Sequence, residues 1–435
     1  EIRAQAFAFA SNDEVNNMTF YNYELINRGT QTLYNTYFGF FTDGALGDPY
    51  DDYVGCDVNR GLGYYYNGDN YDGDNSGFKG YGYSPPAVGV DFFEGPYQDN
   101  DGIDNAFGIW DNEALNGIGY GDGVIDNERF GMRRFTYYTS TSAYPYNDPG
   151  PAADYYRFME GKWANGAEMY YGGTGAQGTV MSDYMFPGTS DPLHWSTGGQ
   201  DMSGQFPNGW DESTSNNPSG DRRFVQSAGP FTLRPGATNN ITVGIVYGRS
   251  SAGGLMASVD AMKRADTKAQ ALFDACFKIL SPPDAPKLTI QELENELILM
   301  LENPSSSNNY QEGYEEMDEV NIPDPTVDRY YRFEGYQIYQ LKNAQIGITD
   351  LDDNTVARLV AQCDIKNGVK RLVNFEFDEE LGFSTPVEKV RGADLGIQHT
   401  FRVTEDLFAA GDRKLVNFKT YYYLAVAYGY NNYKP

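Results

Sequence analysis

The sequence predicts a mainly β chain built on more than one core, and three observations carry that expectation. Tyr, Asn, Gly, Asp and Thr together outweigh Lys, Glu, Leu and Ala, a balance that disfavours helix and favours strands joined by turns. Aromatic residues make up 15% of the chain, with 36 Tyr and 26 Phe, as ordered sheets use and disordered acidic tails do not. At 435 residues the chain is about twice the length of a comfortable single domain, so two or three cores are expected. The architecture that follows is an N-terminal β-sandwich over residues 1–250 with long Gly/Asp/Tyr-rich insertions, one amphipathic linker helix over 251–281, and a C-terminal sandwich over 282–435.

Taken in order, residues 4–10 alternate loosely, and Met18–Ile26 (MTFYNYELI) reads as a period-2 strand closed by the turn Asn27-Arg28-Gly29. Leu33–Phe41 (LYNTYFGFF) follows, so the two segments predict a hairpin. From about residue 42 to 220 Gly, Asp, Asn, Tyr and Pro dominate, with strand-like islands at Ala87–Phe93 and Arg133–Thr139. That is too long for structureless loop, so ordered insertions are expected, held by something other than a large core. Gly229–Gly236 (GPFTLRPG) reads as a turn, and Ile241–Arg249 as the strand that completes a last hairpin.

Leu255–Leu280 is the one predicted helix, with Leu255, Val259, Met262, Ala265, Ala269, Leu272, Cys276 and Ile279 recurring at helical spacing until Pro282-Pro283. Packing on a neighbouring sheet as a strut is its expected role, with partner binding as the alternative. Beyond the prolines seven short strands follow: Lys287–Glu294, Glu296–Asn303, Tyr330–Asn343, Ala357–Ile365, Leu372–Asp378, Ile397–Asp406 and Thr420–Asn432. That number and length predict an immunoglobulin-like sandwich.

Within this C-terminal part, Pro283-Asp284-Ala285-Pro286, the segment Gly335–Gln340 (GYQIYQ) and the segment Tyr421–Ala427 (YYYLAVA) resemble a fibronectin type III module. The resemblance implies that Tyr421 or Tyr423 bonds backbone at a strand corner, and that Ile298 or Met300 replaces the tryptophan common on the second strand. The insertion over residues 304–328 is longer than that family's norm. The segments Asp51–Asp69, Pro85–Pro96, Gly220–Gly236 and Ala265–Ile279 are similar to the large surface proteins that Bacteroidota-type bacteria export by the type IX route. This resemblance spans nearly the whole chain and implies an extracellular, cell-surface location more than a chemistry. The start at Glu1, without Met or signal sequence, fits a processed or excised fragment, and Lys434-Pro435 reads as the approach to a further domain.

Charge narrows the partners. With 32 Lys plus Arg against 61 Asp plus Glu, the net charge of −29 repels nucleic acid and anionic membranes and attracts cations. The acids gather in Gly- and Asn-rich turns. DNDGIDN supplies Asp99, Asp101 and Asp104, and GDGVIDNE supplies Asp122, Asp126 and Glu128. Both approximate the Asp-x-Asp-Gly spacing of dockerin or thrombospondin type 3 calcium loops, in which alternate side chains converge on a hard cation. NGDNYDGDNSG, with Asp69, Asp72 and Asp74, is a looser relative, and Asp43, Asp48, Asp51, Asp52 and Asp57 form a second patch around Cys56. Ca²⁺ is therefore the expected cofactor, and solvated Asx-turns are the alternative reading. Bound metal would supply folding free energy that apolar burial does not.

Enzyme signatures are missing: the two histidines, His194 and His399, have no evident catalytic partners, and no nucleophile-elbow, zinc or phosphate-loop motif occurs. A carboxylate pair such as Asp91 and Glu94 keeps glycoside hydrolysis open. Trp110, Trp163, Trp195 and Trp210 would stack on sugars if exposed, and would pack the insertions if not. Cys276 and Cys363 read as small buried hydrophobes, with Cys56 ambiguous. No stretch has the ~20 apolar residues that cross a bilayer. The expected function is a calcium-stabilised structural or adhesive surface protein, partnered by its own copies, other surface proteins or glycans, with assembly into a fibre or layer through exposed strand edges. A carbohydrate-binding or carbohydrate-degrading surface protein is the alternative.

Overall fold

The computed structural model describes residues 1–9, 14–107, 116–251, 253–277, 280–318, 322, 326–378 and 383–431. The protein is mainly β and forms two compact units, one spanning Glu1–Gln270 with Phe377–Ser384, the other Ala271–Glu376 with Thr385–Pro435.

In the first unit the strands are β1 (Ile2–Phe7), β2 (Thr19–Ile26), β3 (Leu33–Asp43), β4 (Asp52–Asp57), β5 (Leu62–Asn67), β6 (Tyr71–Asp72), β7 (Gly82–Tyr83), β8 (Ala87–Glu94), β9 (Arg134–Thr139), β10 (Arg222–Leu233) and β11 (Thr238–Gly248). Six of them form an antiparallel sheet in the order β1-β2-β11-β8-β5-β4, and three form a second in the order β3-β10-β9. Phe92, Ile241 and Val243 of the first sheet pack with Ala228 and Phe231 of the second, so the two faces close a sandwich core.

Both predicted hairpins are overturned by this order. β2 pairs with β1 and β11, while β3 pairs with β10, so the turn at Asn27–Gly29 carries the chain from one sheet to the other. The segment read as a turn at Gly229–Gly236 is largely strand, and its continuation β11 again lies in the opposite sheet. Alternation specifies which face is buried but not which strand is the neighbour.

The region 42–220 also has its own large core, contrary to expectation. Phe135, Phe158, Trp163, Tyr184, Met185, Phe186, Trp195, Trp210 and Phe224 belong to one buried cluster. The rings meet edge-on or tilted, as for Tyr146 with Trp163 at 4.7 Å and Phe186 with Trp210 at 5.0 Å. Phe135 and Phe224 come from β9 and β10, Phe158 from the short helix α1 (Ala152–Met159), and the rest from irregular segments in which no periodicity announces them. The strands β4 and β5, inside the same region, complete the larger sheet as a true hairpin.

Helix α2 runs over Ala257–Asp274, several residues shorter at its end than predicted. Cys276 lies past it with a left-handed φ of 53° and is exposed, not buried.

The second unit holds β12 (Lys287–Leu293), β13 (Glu296–Glu302), β14 (Glu315–Met317), β15 (Tyr330–Leu341), β16 (Ala357–Asp364), β17 (Arg371–Asp378), β18 (Phe383–Arg391), β19 (Thr400–Val403) and β20 (Tyr422–Tyr430). One sheet is β12-β13-β19; in another β15 pairs with β14, β16 and β20; β17 and β18 form a separate hairpin. Leu299, Leu301, Phe333, Tyr336, Ile338 and Phe401 fill its core. The parity of β13 thus differs from expectation: Leu299 and Leu301 point inward, while Met300 is 36% exposed. Tyr421 Oη accepts the backbone amide of Val416 at 2.9 Å, and Tyr423 Oη has no donor or acceptor partner. His399 is exposed and meets Glu312 at 2.9 Å.

Candidate metal centre

The acidic residues do not behave alike. Asp43 leaves its patch to pair with Arg223 at 2.9 Å, and Asp57 pairs with Lys263 at 2.9 Å and Arg60 at 3.7 Å. Their charges are met by protein cations. Asp99 accepts the Thr232 amide, and exposed Asp74 accepts that of Gly80.

The two predicted loops interlock. Asp104 accepts the amides of Gly121 and Gly123, both at 2.8 Å, while Asp126 accepts those of Asp101 and Gly102 at 2.8 and 2.9 Å. Asp101 and Asp122 each cap an amide two residues on, at Ile103 and Val124, and buried Glu128 accepts the Asn105 amide. Each loop is therefore closed by a carboxylate of the other. The Asn127 amide and the Val124 N–H hold the Asp122 carboxyl below its usual range.

A third group forms where β4 begins and β5 ends. Asp52 and Asn67 stand directly opposite each other in the antiparallel register, which places their side chains on one face. Asp51 precedes Asp52, and Asp48 and Asp72 close in from the flanking loop and β6. Asp72 accepts the amides of Asp48 at 3.0 Å and Tyr81 at 2.8 Å; Asp48 accepts Tyr50 N and Asn75 Nδ2; Asp52 Oδ2 accepts Leu46 N at 3.2 Å. Asp69, at the exposed rim, caps Tyr71 and takes Asn67 Nδ2 on its carbonyl. Gly47 makes the approach of Asp72 workable: its φ is +73°, and a Cβ there would lie 1.7 Å from Asp72 Oδ2.

Three oxygens in this group have no partner: Asp51 Oδ1, Asp52 Oδ1 and Asn67 Oδ1. Asp52 is fully buried, Asn67 is 2% exposed, and among the described residues no Lys or Arg pairs with Asp48, Asp51, Asp52, Asp69 or Asp72. Burial pushes the Asp52 carboxyl up to about 9, with Asp51 beside it adding to the effect. Burial and then Asp48 raise Asp51 to about 6. Orphaned, oxygen-only and uncompensated, the group suits a hard cation such as Ca²⁺. Among the described residues no three Asp, Glu, His or Cys side chains already stand in metal-binding geometry. Asn67 and main-chain oxygens are then needed to complete a shell around Asp51 and Asp52. Asn67 was missed in the sequence; its signal was its place at the strand end before an Asp-rich run.

The other chemistries separate in space. Glu94 pairs with Arg129 at 2.6 Å and accepts Thr242 Oγ1, so it is held by its own partners beyond a β-bulge and is not paired with Asp91. Trp163, Trp195 and Trp210 are buried, so they pack the core and present no ring to a sugar; Trp110 lies outside the described residues. Cys56 is buried with its thiol raised well above the usual range by burial, and its Sγ bonds Met185 O at 3.2 Å. His194 lies 3.6 Å from Asp201. No described helix is long and apolar enough to cross a membrane. No family model matches the chain, and no curated protein or solved structure matches it either.

Proposed function

We propose that this chain is an extracellular structural or adhesive module of a bacterial cell surface, stabilised by Ca²⁺ at the Asp51/Asp52/Asn67 centre. The observation that carries the reading is the set of three unpartnered oxygens, two of them on fully or almost fully buried side chains, with no protein cation beside them. A buried uncompensated carboxylate is costly, and a divalent ion removes that cost while joining the loop over residues 44–51 to the β4–β5 hairpin. Extracellular modules bind calcium with dissociation constants on the order of 10⁻⁴–10⁻³ M, matched to the medium they work in. The likeness to type IX-exported surface proteins supports the location, and the bond from Val416 to Tyr421 supports a fibronectin type III-like second unit. Its partners in this reading are further copies or other surface proteins, meeting exposed edge strands such as β1 and β12.

The test is thermal melting of the full chain in calcium and in excess EDTA, beside Asp52→Asn. The expected result is a melting temperature that calcium raises in the native chain and leaves unmoved in the variant. An unchanged native melting temperature would sink the proposal.

A further inference from the structure

Helix α2 lies on β8, and its register places two acids against each other. A Cβ built on Gly89 would stand 2.7 Å from Met262 Sδ. Two residues along a strand and four along a helix each advance about 6 Å on the same face, so the next pair to meet is Asp91 with Asp266. The two carboxyls are hydrogen-bonding neighbours, and each side chain is 1% exposed.

Neither oxygen of Asp91 has a donor, nor has Asp266 Oδ1. Asp266 Oδ2 takes Arg60 Nη1 at 3.0 Å, a nitrogen that Thr267 Oγ1 also accepts. The charged groups facing the pair are Arg60 and Asp57 from the end of β4 and its turn, and Lys263 from α2, which bonds Asp57. Asn116 adds a neutral oxygen: Asn116 Oδ1 and Asp91 Oδ1 both lie 3.7 Å from the point a Cβ on Gly61 would occupy. Asp57, Asp91 and Asp266 against Arg60 and Lys263 leave one negative charge. A divalent ion would overshoot it, and one proton balances it. Two carboxylates in contact cannot both ionise in a buried site.

We propose that Asp91 and Asp266 share a single proton, and that this carboxyl–carboxylate hydrogen bond pins α2 to the six-stranded sheet and makes its docking pH-dependent. The proton sits on Asp91 and is donated to Asp266 Oδ1; on release it goes to solvent. Burial raises both carboxyls and Arg60 opposes this at both, but only Asp266 takes a hydrogen bond from Arg60, at 3.0 Å, which favours its charged form and leaves the proton on Asp91. Because the folded pair binds its proton more tightly than the unfolded chain, the clamp is complete below the ordinary carboxylate range and weakens as pH rises from there through the pair's raised value.

The test combines hydrogen exchange of the α2 amides with infrared spectroscopy on the full chain, Asp91→Asn and Asp266→Asn. In either variant an amide donates to the remaining carboxylate, so the clamp persists without a proton. Corrected for intrinsic exchange, α2 opening should rise with pH from the ordinary carboxylate range upward in the native chain, by at most about tenfold per pH unit, and stay flat in both variants. Equal pH responses in all three would overturn the proposal. Independently of whether the variants fold well, the native spectrum at pH 7 should hold a protonated carboxylic acid band, and the difference from Asp91→Asn separates it from Asp52. A missing difference band refutes the shared proton, and so does one that appears only after EDTA, because a metal ion would then have held the pair.

Discussion

Asp52→Asn gives the sharpest test of the metal centre, because it moves stability in opposite directions depending on whether calcium is present. Burial holds the Asp52 carboxyl at about 9 against an ordinary 3.8. Without a cation the folded state must keep that group protonated at pH 7 while the unfolded chain ionises it. The 3.2 pH units from 3.8 to 7, at about 1.4 kcal/mol each, come to an upper limit of about 4 kcal/mol. The sign follows from the raised folded value: the native chain in EDTA is favoured below pH 4 and loses stability steadily as pH climbs towards 9. Asparagine does not titrate, its oxygen still accepts the Leu46 amide, and its new N–H donors face the orphaned Asn67 oxygen. In EDTA at pH 7 the variant is therefore expected to melt above the native chain, by at most roughly 7 °C for a unit of about 270 residues. In saturating calcium the native chain gains and the variant does not. Calorimetry across pH 5–9 reads both effects. A variant less stable than the native chain in EDTA, or a native pH slope identical with and without calcium, would refute the reasoning.

Three further outcomes are expected. Gly47→Ala, placed at a positive φ with its methyl group against Asp72, should cost about 1–3 kcal/mol in denaturant titrations and abolish the calcium response. Trp163→Ala opens the aromatic core and should cost about 3–5 kcal/mol in the same assay, with a loss under 1 kcal/mol showing that the core is not shared. Asp104→Ala releases the amides of Gly121 and Gly123, so proteolysis within residues 119–128 should quicken while the melting temperature and its calcium response hold. Loss of that response would move the ion to the interlocked loops.

The class of the fold was legible in the sequence; the pairing of its strands was not. Thr19–Ile26 and Leu33–Asp43 were readable as strands from alternation, yet their short separation suggested a hairpin where the chain changes sheets. Leu299 and Leu301 could be told from Ile298 and Met300 only by packing, since both pairs are apolar. In the aromatic core, Trp163, Tyr184, Phe186, Trp195 and Trp210 were hidden because irregular backbone carries no period to detect. For the site, spacing identified the right residue types but not their company. Asp43 and Asp57 are drawn off by Arg223 and Lys263, which are distant in sequence, and Asp52 acquires its buried state from the β4–β5 register. Asp266 lies on the buried stripe of the helix with Met262, Ala265 and Ala269, where the apolar spacing alone passed over it.

The crossing of the chain between sheets also sets a clock. β2 is flanked by β1 on one side and β11 on the other, and Asn22 bonds Thr242 across 220 residues of sequence. A ribosome adding about 5–20 residues per second needs on the order of 10–45 s to cover that interval. Throughout it Thr19–Ile26 has at most the short β1 for company and the larger sheet cannot close. The first unit thus matures only when its last strand is delivered, and any factor that binds the nascent chain has tens of seconds in which to act.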